Sequence, residues 1–332
     1  MRGKFVKAID MALAGALPGA RLGRRDLVIY AFHSVLPGLE ALGENLIDPY
    51  QPVTLADIES VIVALKRRGL RFVTGHEIAA GERRGPMAWL TFDDGYANNL
   101  ALLPLLRRHG VPATIFVATG HVMSGEAYWW DVLYREGMRR GRAPGDLARE
   151  REAMKALAPA QIRARLIAMF GEGALRPVGE IDRPMHPEEL ARLAREPLIE
   201  IGNHTHAHSI LTRIDNEAAR REIAACSKAL ARITGRAPAS IAYPNGNFSP
   251  AVVEAARSAG LEIGVTCLPF RNRIAGGGAE EVANLALGRF AGLRNGVIGR
   301  EITLSLAPLG LAMARSERLA QGIVRTPFIR PA

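Results

Sequence analysis

The chain has 332 residues, 48% hydrophobic and 23% charged, enough to bury one large α/β domain or two smaller ones, and this balance excludes a disordered or collagen-like polypeptide. A formal net charge of +10 would suit an anionic partner, but the excess is mostly arginine spread along the sequence. No stretch interleaves aromatic and basic residues as a single-strand binder does, so nucleic acid is not expected as a partner.

Residues 1–25 read as an N-terminal helical extension. Arg2, Lys4, Lys7, Arg21, Arg24 and Arg25 make it basic, while Asp10 interrupts an apolar stretch already too short to cross a bilayer. Such a segment suits peripheral contact with a membrane surface, and the chain is expected in the cytoplasm, at the inner membrane face. An export signal ending near "ALPGA" stays an open alternative.

From residue 26 onward, apolar runs alternate with helix-period segments. "DLVIYAFH" (26–33), "MAWLTFDD" (87–94), "ATIFVATG" (113–120), "LIEIGNHT" (198–205), "SIAYPNG" (240–246) and "EIGVTC" (262–267) read as buried strands. Between them, "TLADIESVIVALKRRG", "NNLALLPLLRRHG", "EAARREIAACSKALARITG" and "SPAVVEAARSAG" carry apolar residues at spacings of three and four and end on glycine. Ser249 before Pro250 is the expected cap and first-turn pair. This alternation predicts parallel strands joined by crossover helices. The rhythm breaks at about 121–196, an arginine-rich, helix-patterned insertion whose opening "EAYWWDVLY" reads either as a hydrophobic anchor or as a sugar-stacking platform. "AGGG" at 275–278 reads as a loop, and 301–332 as a C-terminal extension to a domain spanning 26–300. Cys226 and Cys267 match neither zinc-ligand spacing nor a disulfide framework, and read as reduced core thiols.

Two stretches carry chemistry. "WLTFDDGYANN" ends an apolar run in adjacent carboxylates, Asp93 and Asp94, which repel one another unless a cation, water or hydrogen bonds compensate. Alone, Asp-Gly is an ordinary turn. "EIGNHTHAHSILT" follows another strand and holds histidines at 204, 206 and 208. A continuing strand would put all three on one face, whereas a helix would pair His204 with His208 and turn His206 away. Either arrangement offers imidazoles to a divalent metal.

"TFDDG" at 91–95 followed by His-Thr-x-x-His at 204–208 resembles the two best-marked motifs of the polysaccharide deacetylase family, the NodB-homology domain of carbohydrate esterase family four. "YPNG" at 243–246 is similar to its third motif, and "YAFHSV" to the Tyr-His-x-Val start of one branch. The resemblance spans about 26–290. It implies a distorted (β/α)7-8 barrel with its active site at the C-terminal strand ends. It further implies that Asp94, His204 and His208 hold a divalent metal, zinc first among Zn, Co, Ni, Fe and Mn, and that Asp93 takes the proton of the attacking water. The backbone N–H of Asn245 would face the oxyanion. Two departures stand out: Ala242 occupies the position of an arginine that orients the catalytic Asp, and no histidine follows His208 to act as general acid. Arg289 and His33 are the expected replacements. His76, His109, His121 and His186 read as loop or helix-end residues. The implied activity is removal of N-acetyl groups from amino sugars of a polysaccharide, oligosaccharide or lipid-linked precursor. The alternatives are hydrolysis of a non-sugar amide on the same fold and a non-catalytic carbohydrate-binding barrel.

Overall fold

A computed structural model describes residues 22–81, 85–273 and 282–291. The basic N-terminal stretch up to residue 21, "AGGG" and the C-terminal extension lie outside the described residues.

The strands, in chain order, are β1 Asp26–Phe32, β2 Val35–Leu36, β3 Val53–Thr54, β4 Arg71–Phe72, β5 Met87–Phe92, β6 Ala113–Val117, β7 Ile199–Asn203, β8 Ser240–Ala242, β9 Ile263–Val265, β10 Asn272–Arg273 and β11 Phe290–Ala291. Six of them coincide with the apolar runs read from the sequence. The main sheet runs β10-β1-β5-β6-β7-β8-β9, with β4 also on β5 and β11 also on β1. Every pairing in it is parallel except β1 with β10.

The sheet curls into an incomplete barrel whose two edges are joined by one segment. Leu287 bridges Val265 of β9, and three residues later β11 aligns Phe290 with Tyr30 and Ala291 with Ala31 of β1. One short segment therefore spans both edges, which gives the expected barrel in distorted form.

Both faces of the sheet are covered, which is why its strands are mostly apolar and show no regular alternation with polar residues. Leu27, Ile29, Trp89, Phe116, Ile263 and Val265 fill the barrel interior. Their neighbours Val28, Tyr30, Leu90, Phe92, Ile115 and Val117 pack outward against the crossover helices. Those helices start as their sequences dictate. Thr54 and Asp57 form a reciprocal capping box at the head of Leu55–Arg67, and Ser249 accepts from the Val252 N–H ahead of Pro250.

Between β6 and β7 the chain is helical, through Thr119–Ser124, Trp129–Arg139, Pro144–Met154, Pro159–Phe170 and Pro187–Leu193. Val132, Leu133, Leu147, Met154, Ile162 and Leu166 make a core of its own, distinct from the barrel's. A buried carboxyl group ties this segment to the rest: Asp131 accepts from the Tyr96 hydroxyl at 2.6 Å and from the Asp48 N–H at 2.8 Å.

Candidate metal centre and active site

The barrel's C-terminal strand ends carry His33 after β1, Asp93 and Asp94 after β5, His204 after β7, Asn245 after β8 and Cys267 after β9. All of them line one cavity of about 660 Å³. The backbone beside it is unusual: Asp94, Thr205, His208 and Asn245 all have positive φ, and outside these loops Asn45 is the remaining described non-glycine residue that does. Such conformations are costly and tend to gather where geometry serves a site.

The turn after β5 separates the two carboxylates. Asp93 extends the strand, its N–H donating to Phe32 O at 2.8 Å, whereas Asp94 at φ 77° and Gly95 at φ 91° reverse the chain. A Cβ on Gly95 would lie 3.1 Å from Val117 Cγ1, so glycine serves both the turn and the close approach. The side chains consequently diverge.

Asp93 faces Arg289. The guanidinium donates through both terminal nitrogens, each 2.7 Å from one carboxylate oxygen. Arg289 is itself fully buried and fixed by Thr91 Oγ1 at 3.0 Å and Thr266 O at 2.9 Å. Burial works against a charged Asp93, but Arg289, with the nearby His204 and His33, holds its carboxyl below the usual range. The replacement expected for the missing motif arginine therefore makes the contact whose loss Ala242 implied. It arrives from the segment that closes the barrel.

Asp94 faces the histidines. Its Oδ1 lies 3.3 Å from Nε2 of His204 and 3.3 Å from Nε2 of His208, yet is buried without a hydrogen-bond partner. Burial again opposes its charge, and the two imidazoles hold the carboxyl well below the usual range. One ligand atom from each of the three lies within 4.8 Å of the others. Ligands about 2.1 Å from a tetrahedral ion stand roughly 3.4 Å apart, so the orphaned oxygen and its two neighbours fit a small divalent cation. His204 Nδ1 donates to Ala242 O at 2.7 Å, which fixes the tautomer that leaves Nε2 a free lone pair. Ala242 thus contributes its carbonyl where a motif side chain was expected.

The histidine loop is neither of the two regular arrangements the spacing allowed. β7 stops at Asn203, and left-handed Thr205 and His208 fold the loop so that His204 and His208 meet at 74° with 4.8 Å between ring centroids. Side chains hold the shape: the Thr205 N–H donates to Asn203 Oδ1, and the Ser209 N–H to Thr205 Oγ1. His206 turns away to Thr119, with Nδ1 2.9 Å from its hydroxyl.

His33 lines the same cavity as Asp93, and Asn99 Nδ2 grips its carbonyl at 2.9 Å. Asn245 is exposed at the rim; its turn is closed by Gly246 donating to Tyr243 and Asn247 to Pro244, and its own N–H takes no part in those bonds.

The sequence profile of the family described as polysaccharide deacetylase matches residues 80–264, more than half of the chain. The chain belongs to the polysaccharide deacetylase family. Three solved structures show how far this member shares its relatives' fold. A deacetylase, PplD, from Streptococcus pyogenes, solved with acetate, superposes with a TM-score of 0.58 at 14% identity, over 85% of this chain and 99% of that one. IcaB from Ammonifex degensii gives 0.54 at 18%, over 86% and 99%. A de-N-acetylase from Aggregatibacter actinomycetemcomitans gives 0.55 at 16%, over 84% and 99%. No curated protein sequence matches significantly.

Three features of this deacetylase-family member escape its sequence. Cys267 is exposed on the cavity wall, its Sγ 3.9 Å from an Arg289 nitrogen, which corrects its reading as a core thiol; Cys226 is buried as expected. His121, read as a loop or helix-end residue, lines the cavity with its ring 4.6 Å from that of Tyr128. The aromatic stretch divides its labour. Tyr128 and Asp131 are buried anchors, while Trp129 and Trp130 line the cavity, Trp130 with its ring 4.8 Å from His208 and its Nε1 donating to the Tyr96 hydroxyl at 2.8 Å.

Proposed function

We propose that this chain hydrolyses the N-acetyl group of an amino sugar, carried by a polysaccharide, an oligosaccharide or a lipid-linked precursor, with a divalent metal held by Asp94, His204 and His208. The observation that supports it above others is the divergence of the adjacent carboxylates: one is orphaned between two imidazole nitrogens, the other is clamped by Arg289 beside them. A divalent ion in such a site supplies Lewis acidity, making water easier to deprotonate and a carbonyl more electrophilic.

The chain's own residues supply the rest. Asp93, ionised and oriented by Arg289, accepts a proton from the attacking water, whose oxygen adds to the acetyl carbon. The Asn245 N–H, at the rim of the same cavity, faces the oxygen on which negative charge develops. As the C–N bond breaks, His33 gives a proton to the departing nitrogen, leaving acetate and the free amine. Trp129 and Trp130 offer aromatic faces to the sugar ring.

The test is acetate release from N-acetylglucosamine oligomers, with zinc, cobalt or nickel added and with chelator. Release that depends on metal and falls by roughly 10²- to 10⁴-fold in Asp93→Asn is the expected result. Binding of the oligomers without release under any of the three metals would favour the non-catalytic barrel instead. The Arg289 clamp weighs against that alternative, since a binding protein needs no oriented base.

A further inference from the structure

The cavity has two unlike ends. The barrel end is polar, with His33, Asp93, Asp94, His204 and His208. The end built by the insertion is aliphatic: Ala127, Leu157, Pro159, Ile162, Leu166 and Leu175 belong to the same lining. Apart from Pro159, these are also members or close neighbours of the insertion's own core, so that core opens into the active-site cavity. Trp129 packs against that core and the Trp130 ring lies 4.8 Å from His208, so the pair stands between the two ends.

A polymer presents hydroxyls along its whole length, and each one buried against aliphatic side chains would lose water without gaining a partner. The cavity volume of about 660 Å³ is in the range that seats one small ligand or one short segment of a longer one. The cations beside the aliphatic end do not make it an anion site. Arg151 is paired with Asp48 at 2.6 Å, Lys155 with Glu152 at 2.9 Å and Arg163 with Glu126 at 2.7 Å. With these charges paired, apolar contact is the main attraction this end offers a ligand.

Building on the deacetylase reading, we infer that the substrate is an amphipathic glycoconjugate: one N-acetylated amino sugar, or a short run of them, bearing a long hydrocarbon chain that lies along the insertion. The sugar stacks at the tryptophans with its acetamide over Asp93, and the chain extends past Leu157 and Ile162. A straight acyl chain and a branched isoprenoid share this chemistry.

The probes are methyl, octyl and dodecyl N-acetyl-β-glucosaminides, each used below its micellar concentration, a prenyl counterpart, and a free N-acetylglucosamine tetramer. Binding is read by tryptophan fluorescence and turnover by acetate release. Dodecyl glycoside is expected to bind at least about tenfold more tightly than methyl glycoside, with octyl between them and the gain in turnover confined to KM. The prenyl arm separates the two chain types: tighter binding than dodecyl assigns the branched chain, weaker binding the straight one. Leu157→Asp, which puts a charge on the aliphatic wall, and Ala160→Trp, which fills it from an exposed helix start, are each expected to bring the dodecyl-to-methyl ratio close to one. Binding that does not vary with chain length, or a tetramer preferred over dodecyl glycoside, would overturn the inference. Chain-length-dependent binding with no acetate released would uphold the aliphatic end and overturn the deacetylase reading instead.

Discussion

At the barrel end of the cavity, Asp94, Thr205, His208 and Asn245 hold left-handed backbone on loops of a few residues, each loop pinned by side-chain or main-chain hydrogen bonds. At the other end, residues 119–193 offer ordinary helices whose aliphatic side chains do for the cavity what they do for any core. The first region concentrates strain and charge at a few positions, whereas the second spreads modest contacts over many aliphatic residues. On the proposed function, reaction type and ligand shape would be set by separate parts of the chain. Mutations should divide accordingly, into those that remove chemistry and those that change preference or stability.

The sharpest break is expected at Asp94. Asp94→Ala should abolish acetate release and metal uptake together, the latter measured as metal per chain after dialysis; full metal content in this variant would remove Asp94 from the ligand set. His33→Gln should lower turnover of an N-acetyl sugar by about 10²-fold while costing far less with a p-nitrophenyl ester, whose leaving group departs without a proton. Equal losses on both substrates would make His33 something other than the acid. Arg289→Lys keeps a charge but forfeits the paired geometry, and a 10- to 100-fold fall in kcat at full metal occupancy is expected. Arg289→Met should in addition cost about 3–5 kcal/mol in urea unfolding, because Asp93 would be left buried and unpaired.

Most of the barrel end could be read from the sequence because its signals are local. Two carboxylates after an apolar run and imidazoles four residues apart are short-range patterns, and the strands that carry them are recognisable by their largely apolar runs. What spacing could not decide was the shape of the histidine loop, since Thr205 turns the chain through a bond from its own N–H to Asn203, which no periodicity encodes. Arg289 lies 196 residues from Asp93 and meets it because the segment around it joins the two sheet edges. The family pattern pointed to a missing guanidinium; tertiary closure supplies it. The insertion hid the most. An amphipathic pattern tells which side of a helix is apolar, and Leu157, Ile162 and Leu166 show that such a side can line a cavity as well as fill a core. The same ambiguity covered Trp129 and Trp130, whose neighbours Tyr128 and Asp131 are anchors in earnest.

The smallest expected effect tests that anchor. Asp131 is buried, and burial holds its carboxyl well above the usual range in spite of the hydrogen bonds from Tyr96 and the Asp48 N–H, with the charges of Asp48 and Asp94 adding to the rise. A raised acid works against stability in one direction only. Below the unfolded value of about 3.9 both states keep the proton and nothing is lost. As pH climbs from there toward the folded value, the unfolded chain gives up a proton that the folded chain retains, so unfolding becomes easier. Asp131→Asn cannot titrate. Its unfolding free energy, followed in urea from pH 4 to 7, should therefore fall less with rising pH than that of the unsubstituted chain. The two curves should draw closer as pH increases, from a starting offset set by the acceptor that Asn loses toward Tyr96 or Asp48. Parallel curves would mean that Asp131 is ionised in the folded protein across that range. The insertion would then be tied to the barrel by a charge held in place by its two donors, and its hold on Trp130 would be of the same electrostatic kind as that of the barrel loops.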